Sequence, residues 1–312
     1  MQRRYISDKT AVAGVIEALL LVALVAVILS MIQLYYVPEI MKGKEADHMD
    51  QVSNQFSNLK SVIEIQSTMG VINEGNPNPE HAPYTSISSP LTMGSKELPY
   101  FVSARSFGQV ELIDKIKATD YSYRININPA PADFPAGIPL TSIEYDASNF
   151  YFVPQTYALE GGGIILKQSN GEVMRVNPAM NVVNYTSTIE INWNIPLFSG
   201  MPGKNITSDY KECYIRTNYT NHYEDEIFLD KPPAANRYIR IYTDYPDAWD
   251  QALIRDDTGV LWEYYNNGYI NVEIDKTTTP NNVVITPVNK NINLKLTVVD
   301  IGVQIGAGLV IT

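Results

Sequence analysis

Residues 11–37 read AVAGVIEALLLVALVAVILSMIQLYYV, an apolar run of 27 residues that decides the class of the protein. Only Glu17, Ser30 and Gln33 bring clearly polar side chains into this run, and residues 18–29 contain none. About 20 such residues are enough for a helix to cross the hydrocarbon layer of a bilayer, which is ~30 Å thick. An amphipathic helix of a soluble protein would instead show a polar face. The run therefore predicts a transmembrane helix over residues 11–37.

The residues that flank this helix indicate its orientation. Arg3, Arg4 and Lys9 precede it, whereas two lysines follow it among acidic neighbours. The positive-inside bias predicts that residues 1–10 form a cytoplasmic tail and that the rest of the chain lies outside the cell. The run is also longer than the apolar region of a secretory signal, which is ~7–15 residues. We therefore expect the helix to remain in the protein as a single membrane anchor.

A helical pattern continues over residues 38–66, where apolar side chains recur at spacings of three and four. This stripe consists of Met49, Val52, Phe56, Leu59 and Ile63. It predicts an amphipathic helix that extends the transmembrane segment, and two residues near the junction, a proline at 38 and a glycine at 43, are expected to kink or interrupt the rod. The stripe packs either on the rest of this chain or on neighbouring copies.

The remainder of the chain has the pattern of a β-rich domain. Residues 67–90 are rich in Gly, Asn, Pro and Ser and are predicted to form a linker. Within residues 91–312, apolar and polar side chains alternate in many short runs, for example at 121–127, 189–193 and 270–274. A period of two predicts antiparallel strands with one wet face. The expected fold class is α+β: a long N-terminal transmembrane and amphipathic helix followed by an antiparallel β-sandwich-like extracellular domain.

Three local patterns refine this prediction. The Asn170-Gly171 pair is typical of a hairpin turn, and residues 246–255 suit a short helix between two strands. Near the C-terminus, apolar residues occupy even positions from Ile292 to Val298 and odd positions after that. This change of face predicts a bulge or a strand that passes between two sheets.

Composition excludes several function classes. The formal net charge is −11 and the basic residues form no cluster, which argues against nucleic-acid binding. The single cysteine, Cys213, allows no disulfide within the chain; it is interpreted as a buried small hydrophobe, with an intermolecular disulfide as the alternative. The three histidines, His48, His81 and His222, fit no nucleophile or zinc motif. We therefore expect a protein that is not an enzyme and that needs no cofactor or metal.

Two acidic groupings were weighed as cation sites. Residues 222–226 read HYEDE and are interpreted as a solvated loop. Asp244, Asp247 and Asp250 surround the predicted helix start, where aspartate is expected to cap the helix. Their spacing does not match a calcium-binding loop.

Residues 8–22, DKTAVAGVIEALLLV, resemble the start of archaeal type IV pilin-like surface proteins, which carry a class III signal peptide. In that family a prepilin peptidase removes a short charged leader, and the apolar helix then bundles with those of other pilin-like subunits in a filament core. The resemblance implies that the assembly machinery of such filaments is a partner of this chain. It also implies a processing region made of Thr10, Ala11, Val12, Ala13 and Gly14.

Glu17 is the residue of this segment whose role the resemblance addresses. A carboxylate at the centre of a membrane helix costs about 2.5–3.5 kcal/mol on insertion scales. In filaments of this family, a glutamate five residues into the mature chain pairs with the N-terminal amine of a neighbour. Glu17 holds that place if Ala13 becomes the N-terminus, although Val12 then stands where the family has glycine or another small residue. Alternatively, Glu17 lies near the cytoplasmic interface and reaches water.

The resemblance extends to three downstream segments, which look like parts of large archaeal pilin-like ectodomains: residues 137–145, 157–166 and 245–249. Candidate N-glycosylation sequons occur at Asn184, Asn205 and Asn218. The expected function is that of a structural surface protein, a pilin-like subunit or accessory component of a filament. The alternative is a monomeric, signal-anchored ectodomain that binds a glycan or a protein, and a membrane-tethered hydrolase is the third hypothesis.

Overall fold

The computed structural model describes residues 9–74, 86–98, 104–233, 236–255 and 258–306. A long N-terminal helix leads into a strand-rich domain, so the chain has the expected α+β layout. The helical elements are α1, a π-helical turn, α2, α3, α4 and α5, which span Lys9–Met31, Ile32–Tyr36, Val37–Glu74, Lys115–Asp120, Pro246–Ile254 and Trp262–Asn266.

Sixteen strands lie in the described part of the chain. In order, β1 to β16 are Ile87–Thr92, Phe107–Ile113, Arg124–Asn128, Ile138–Pro139, Ser142–Ser148, Gln155–Glu160, Gly163–Gln168, Gly171–Val176, Met180–Asn184, Thr188–Gly200, Ile206–Asp209, Glu212–Leu229, Tyr238–Thr243, Ile270–Asp275, Asn281–Pro287 and Asn291–Gly306. The first sheet has the order β1-β12-β16-β10-β9, the second β11-β2-β5-β6-β7-β8 and the third β14-β15-β13-β3-β4.

The sheets are antiparallel, as predicted, with one exception among the described strands. β10 and β16 pair in parallel from Thr188 opposite Asn291 to Gly200 opposite Val303. Parallel strands need a crossover of a dozen residues or more. The chain between residues 200 and 291 forms several strands and two helices, and it supplies that crossover. Alternation alone could not predict this pair because both strand directions share a period of two.

The rod stays helical through Pro38 and Gly43, but its α-helical geometry changes to a π-helical turn directly before Pro38. α1 joins α2 through the π-helical turn, in which the Val37 N–H donates to the Ile32 carbonyl oxygen, five residues back. A proline inside an α-helix lacks an N–H and crowds the carbonyl four residues before it. The wider π-turn directly before Pro38 relieves that conflict, so the helix continues. Gly43 lies inside α2 without breaking it.

The apolar stripe of α2 packs on this chain's own strands. Met49, Val52, Phe56, Leu59 and Ile63 are each at most 3% exposed and belong to one hydrophobic cluster with residues of the first and second sheets. Burying such a side chain contributes about 1.5–3 kcal/mol. The structure therefore favours packing within the chain over packing between copies for this face of the helix.

The predicted linker of residues 67–90 is shorter than its composition suggested. α2 runs to Glu74, and β1 begins at Ile87. The extra helical turns are held by tertiary contacts, since Gln66 donates to the Thr217 carbonyl oxygen at 3.0 Å and Gly70 lies against the Tyr219 ring. Packing thus overrides the low helix propensity of Gly and Ser. Residues 75–85 lie outside the described part of the chain.

Two hydrophobic cores hold the strand-rich domain together. The proximal core contains the stripe of α2, the lower part of the first sheet and one face of the second sheet. The distal core contains the upper part of the first sheet, the third sheet and α4. Both cores therefore share the long strands β10, β12 and β16 of the first sheet.

The change of face in β16 follows from this arrangement. Ile292, Leu294, Leu296 and Val298 lie in the distal core, whereas Val299 and the following odd positions lie in the proximal core. Successive side chains point to opposite faces of a strand, so the even positions of β16 face the distal core and the odd positions face the proximal core. The apolar positions therefore change from even to odd where the strand passes from one core to the other. The accompanying bulge is in the partner strand β12, where the register shifts between Tyr219 and Asn221.

The remaining local predictions are confirmed with small changes. β7 and β8 form the predicted hairpin, and Gly171 at its turn has φ +148°. α4 ends at Ile254, one residue before the predicted end, and Cys213 is 1% exposed. The strand predicted at 121–127 begins only at Arg124, because α3 occupies the chain up to Asp120 and the Asp114 carboxylate caps that helix.

Candidate membrane helix and its attachment to the strands

The first half of the long helix is an exposed apolar surface. From Ala13 to Tyr36, every side chain is exposed except that of Ile32, which is half-buried; the exposed fraction is 46% at Val25 and 70% at Leu34. This part of the helix is long and apolar enough to cross a membrane. An unbroken apolar surface of this extent is rare on soluble proteins. The structure thus supports a membrane anchor.

The predicted processing region and Glu17 lie on this exposed segment. Thr10, Ala11 and Val12 belong to α1, but their side chains lie outside the described part of the structure, as do all of residues 1–8. Gly14 is exposed, and a Cβ added to it would meet nothing within 4 Å. Glu17 is exposed one turn further on. The five processing residues and Glu17 are therefore together within two to three turns of one helix.

The buried face of the rod begins where the apolar segment ends. Val37 is 3% exposed, and Met41 and Glu45 are fully buried. The Glu45 carboxylate accepts hydrogen bonds from three consecutive backbone N–H groups, those of Phe150, Tyr151 and Phe152, at 3.1, 2.7 and 2.7 Å. Glu45 thereby attaches the β5–β6 loop to the start of α2.

Further polar contacts attach α2 to the strands along its length. His48 Nε2 lies 3.0 Å from the Thr92 carbonyl oxygen, and burial lowers the pKa of this histidine. Lys60 Nζ donates to the Gly162 carbonyl oxygen at 2.8 Å and pairs with Glu64. Buried polar groups need such partners, because an unpaired one costs about 1–3 kcal/mol. These contacts fix α2 to both the first and the second sheet.

The three downstream segments meet at one buried junction. Glu160, at the end of β6, accepts from Thr243 Oγ1 and from Trp249 Nε1, both at 2.7 Å. Trp249 also lies against Gly161, whose φ of +55° suits a glycine. Glu144, from the segment 137–145, lies close enough for its charge to act on Glu160. The segments 137–145, 157–166 and 245–249 thus contribute to a single interface.

Burial dominates the electrostatics of this junction. It raises the pKa of Glu160 to about 8, and the neighbouring carboxylates of Glu144 and Asp244 act in the same direction. Burial also raises the pKa of Glu144. A carboxyl group that holds its proton can remain in an apolar interface, where the ionised form is costly.

The three sequon asparagines differ in accessibility. Asn184 is exposed, and its Oδ1 accepts a hydrogen bond from Lys290 Nζ at 2.6 Å. This bond does not involve the Nδ2 of Asn184. Asn205 donates its Nδ2 to Asp114 Oδ2 at 3.1 Å, and its side chain lies against Gly200. Asn218 is half-buried in β12, at a cleft of 460 Å³. Asn184 is therefore the most accessible of the three.

Of the two acidic groupings, residues 222–226 lie within strand β12 rather than in the expected loop, and the aspartates around α4 have other contacts. Asp244 accepts from the Tyr123 hydroxyl, and Asp247 forms an ion pair with Lys276 at 2.7 Å. The start of α4 is capped by Glu172, which accepts from the Asp247 N–H at 2.7 Å, so the expected capping by an aspartate is wrong. Across the described ranges, no group of three or more His, Cys, Asp or Glu side chains could hold a metal ion.

A second concave surface lies between α5 and the edge strand β9. Its volume is 610 Å³, and its lining combines the half-buried Trp262 with the exposed polar side chains of Asn181, Glu263, Asn266 and Asn267. The Trp262 ring lies 6.4 Å from that of Tyr265. An aromatic ring beside several amide and carboxylate groups can bind a ligand that has one apolar face and several hydroxyls.

The sequence alone does not predict the contacts of Glu45 and Glu160 or the α5–β9 cleft. Glu45 stands among charged residues of a helix, and no local pattern distinguishes it from a solvated side chain. Its partners are more than a hundred residues away. Comparison of the chain with protein-family models, curated proteins and solved structures finds no match.

Proposed function

We propose that this chain is a pilin-like subunit or accessory component of a surface filament and has a structural role rather than an enzymatic one. The observation that carries the proposal is the division of one continuous helix into two halves. The first half, up to Tyr36, exposes apolar side chains on all sides, and the second half packs one face on the strand-rich domain. Such a helix can hold the domain in a membrane first and bundle with equivalent helices afterwards.

Glu17 supports assembly over simple anchoring. It interrupts an otherwise apolar surface, and among the described residues no side chain pairs with its carboxylate to offset the cost of burial in a bundle or in lipid. Pairing with the N-terminal amine of a neighbour would offset that cost after processing within residues 10–14. The proposal therefore includes a prepilin peptidase, assembly machinery and other copies or related subunits as partners.

The proposed orientation places the N-terminus in the cytoplasm and the strand-rich domain outside the cell. It follows from the basic residues before the helix. We further propose that the first and second sheets act as a β-sandwich-like unit. In support, residues of both sheets belong to the proximal core, and α2 contributes its apolar stripe to the same core. Asn184 is the favoured glycosylation site on that external domain.

Mass spectrometry of protein sheared from the cell surface tests the proposal. We expect a mature chain that starts between Ala11 and Val15, identified by intact mass and by the N-terminal peptide. An intact Met1 that is found only in the membrane fraction would overturn the processed, filament-forming role.

The second candidate function is a membrane-anchored module that binds a glycan, and the α5–β9 cleft is the observation that favours it. A glycan array probed with the full-length protein in detergent would identify a ligand. We expect W262A to weaken binding by more than roughly tenfold, since a central aromatic contact commonly contributes that much. F228A, which alters an exposed aromatic side chain on β12, serves as the matched control. Equal binding by both variants would exclude this cleft.

A further inference from the structure

The loop between β5 and β6 exposes apolar side chains beside the membrane helix. Residues 149–154 read NFYFVP and carry no charge. Phe150 is 62% exposed and Val153 is 44% exposed, while Phe152 packs partly against the proximal core. These two exposed apolar side chains lie on one short loop that carries no charge.

The position of this loop is fixed by α2. The Glu45 carboxylate accepts hydrogen bonds from three backbone N–H groups of the loop. Within the loop, Asn149 Nδ2 donates to the Val153 carbonyl oxygen at 2.9 Å. The exposed side chains therefore belong to an ordered turn attached to the helix, so their height along the helix can be estimated.

That height lies just outside the headgroup layer of the bilayer. Glu45 follows Tyr36 by nine residues, which is about 13 Å along a helix. The polar headgroup layer occupies about 5–8 Å on each side of the hydrocarbon core. Because Val37 and Met41 are also buried, the folded domain extends down to the first turn of α2, directly above the exposed rings of Tyr35 and Tyr36. The loop residues beside Glu45 thus lie within a side-chain length or two of the headgroups.

The chemistry of the surroundings suits a lipid surface. Aromatic side chains partition into the membrane interface, and basic residues beside it attract anionic headgroups. Lys42 is exposed and Lys44 is half-exposed in the same two turns of α2, and the exposed carboxylates of Glu39 and Asp47 balance their charge. The uncharged aromatic loop is therefore the feature that suits the headgroup layer.

We propose that residues 149–154 insert Phe150 and Val153 into the interface of the bilayer that α1 crosses. This second contact, which rests on the membrane insertion included in the proposed function, fixes the tilt and rotation of the strand-rich domain before assembly. A single helix leaves the domain free to rotate about its axis, whereas two contacts define one orientation. The occupant of this surface is therefore lipid, and a neighbouring copy of the chain is the competing occupant.

The test uses the full chain in lipid nanodiscs with one polarity-sensitive label at a time. The variants F150C, L24C and F228C place the label at the loop, inside the apolar helix and on the far part of β12. Cys213 does not compete, because it is 1% exposed and burial raises the pKa of its thiol to about 12. Phe228 is 57% exposed and thus matches Phe150 in exposure. It is farther from the membrane helix, because Tyr219 already contacts Gly70 near the end of α2 and Phe228 lies nine residues further along β12.

We expect lipids with a quencher near the headgroup to reduce the emission of the Phe150 label several-fold more than that of the Phe228 label. The Leu24 label should respond to a quencher deep in the acyl chains. If Leu24 is quenched and Phe150 behaves like Phe228, the loop proposal is wrong while anchoring stands. If Leu24 is not quenched, membrane insertion itself is wrong. Shielding of the Phe150 label that grows with protein concentration and ignores the lipid quencher would assign the surface to a neighbouring copy and overturn the proposal.

Discussion

Single side chains hold the long helix and the strands in one arrangement, and Glu45 is the clearest case. Its carboxylate is fully buried and satisfies three backbone donors of the β5–β6 loop. Those donors have no helix or sheet partner of their own, so the loop depends on this residue for its conformation. The contact joins residues that are 105 to 107 positions apart in sequence.

We predict that E45A lowers the free energy of unfolding by about 3 kcal/mol, because it leaves three buried N–H groups without a charged acceptor. E39A is the matched control, since Glu39 lies on the exposed side of the same helix. Urea unfolding of both variants in one detergent measures the difference. Equal losses for the two variants would contradict a special role for Glu45.

Glu160 leads to a prediction about pH. Its pKa is 4.5 in an unfolded chain and about 8 in the folded protein, so the folded state holds the proton more tightly. This contribution to stability is complete below pH 4.5 and is lost as pH rises towards 8. Its full size is about 5 kcal/mol. We expect the urea unfolding midpoint of the wild-type chain to decrease as the pH is raised from 5 to 8.

E160Q provides the control for that prediction. Glutamine keeps a carbonyl oxygen to accept from Thr243 and Trp249 but cannot ionise. The stability of the variant should therefore decrease much less than that of the wild-type protein between pH 5 and 8. At pH 8 the variant should be at least as stable as the wild-type protein. A decline as steep as in the wild-type chain would assign the pH dependence to other groups, of which Glu144 is the nearest with a raised pKa.

At the scale of elements, two glycines of α2 give opposite predictions. A Cβ at Gly70 would lie 2.2 Å from Tyr219 Cδ2, whereas a Cβ at Gly43 would meet nothing within 4 Å. G70A should destabilise the protein by about 1–3 kcal/mol, because the ring or the helix must shift. G43A should stabilise it by about 0.5–1 kcal/mol, because alanine loses less entropy in a helix. Thermal and urea unfolding of both variants test the pair, and a destabilised G43A would show that Gly43 is needed for bending.

The elements also show what a single sequence can and cannot predict. The membrane run, the buried stripe of α2 and the parity change at Val298 are periodic signals, and each has its expected place in the structure. The end of α2 lies beyond its predicted position because the last turns pack on β12, where Gly70 lies against Tyr219. The parallel pairing of β10 with β16 and the attachment by Glu45 depend on residues far apart in sequence, which periodicity does not report.

At the scale of the whole molecule, the two halves of the helix have separate roles. No described side chain from Ala13 to Tyr36 is buried, whereas α2 is part of the proximal core. The energy that stabilises the strand-rich domain therefore comes from residues after Tyr36. In the proposed filament subunit, this separation would let the first half leave lipid for a helix bundle without repacking of the folded domain.

A variant that begins at Val37 tests this separation. We expect it to be soluble without detergent and to unfold with the same urea midpoint as the full-length chain measured under matched detergent conditions, because deletion removes no buried contact. Val37 and Met41 become the first turns of the shortened helix, so fraying there should cost less than about 1 kcal/mol. A much lower midpoint would mean that α1 stabilises the fold directly. A full-length chain that is monomeric and soluble without detergent would instead contradict the membrane role of the helix, since its exposed apolar surface would then have no lipid or partner helix to cover it.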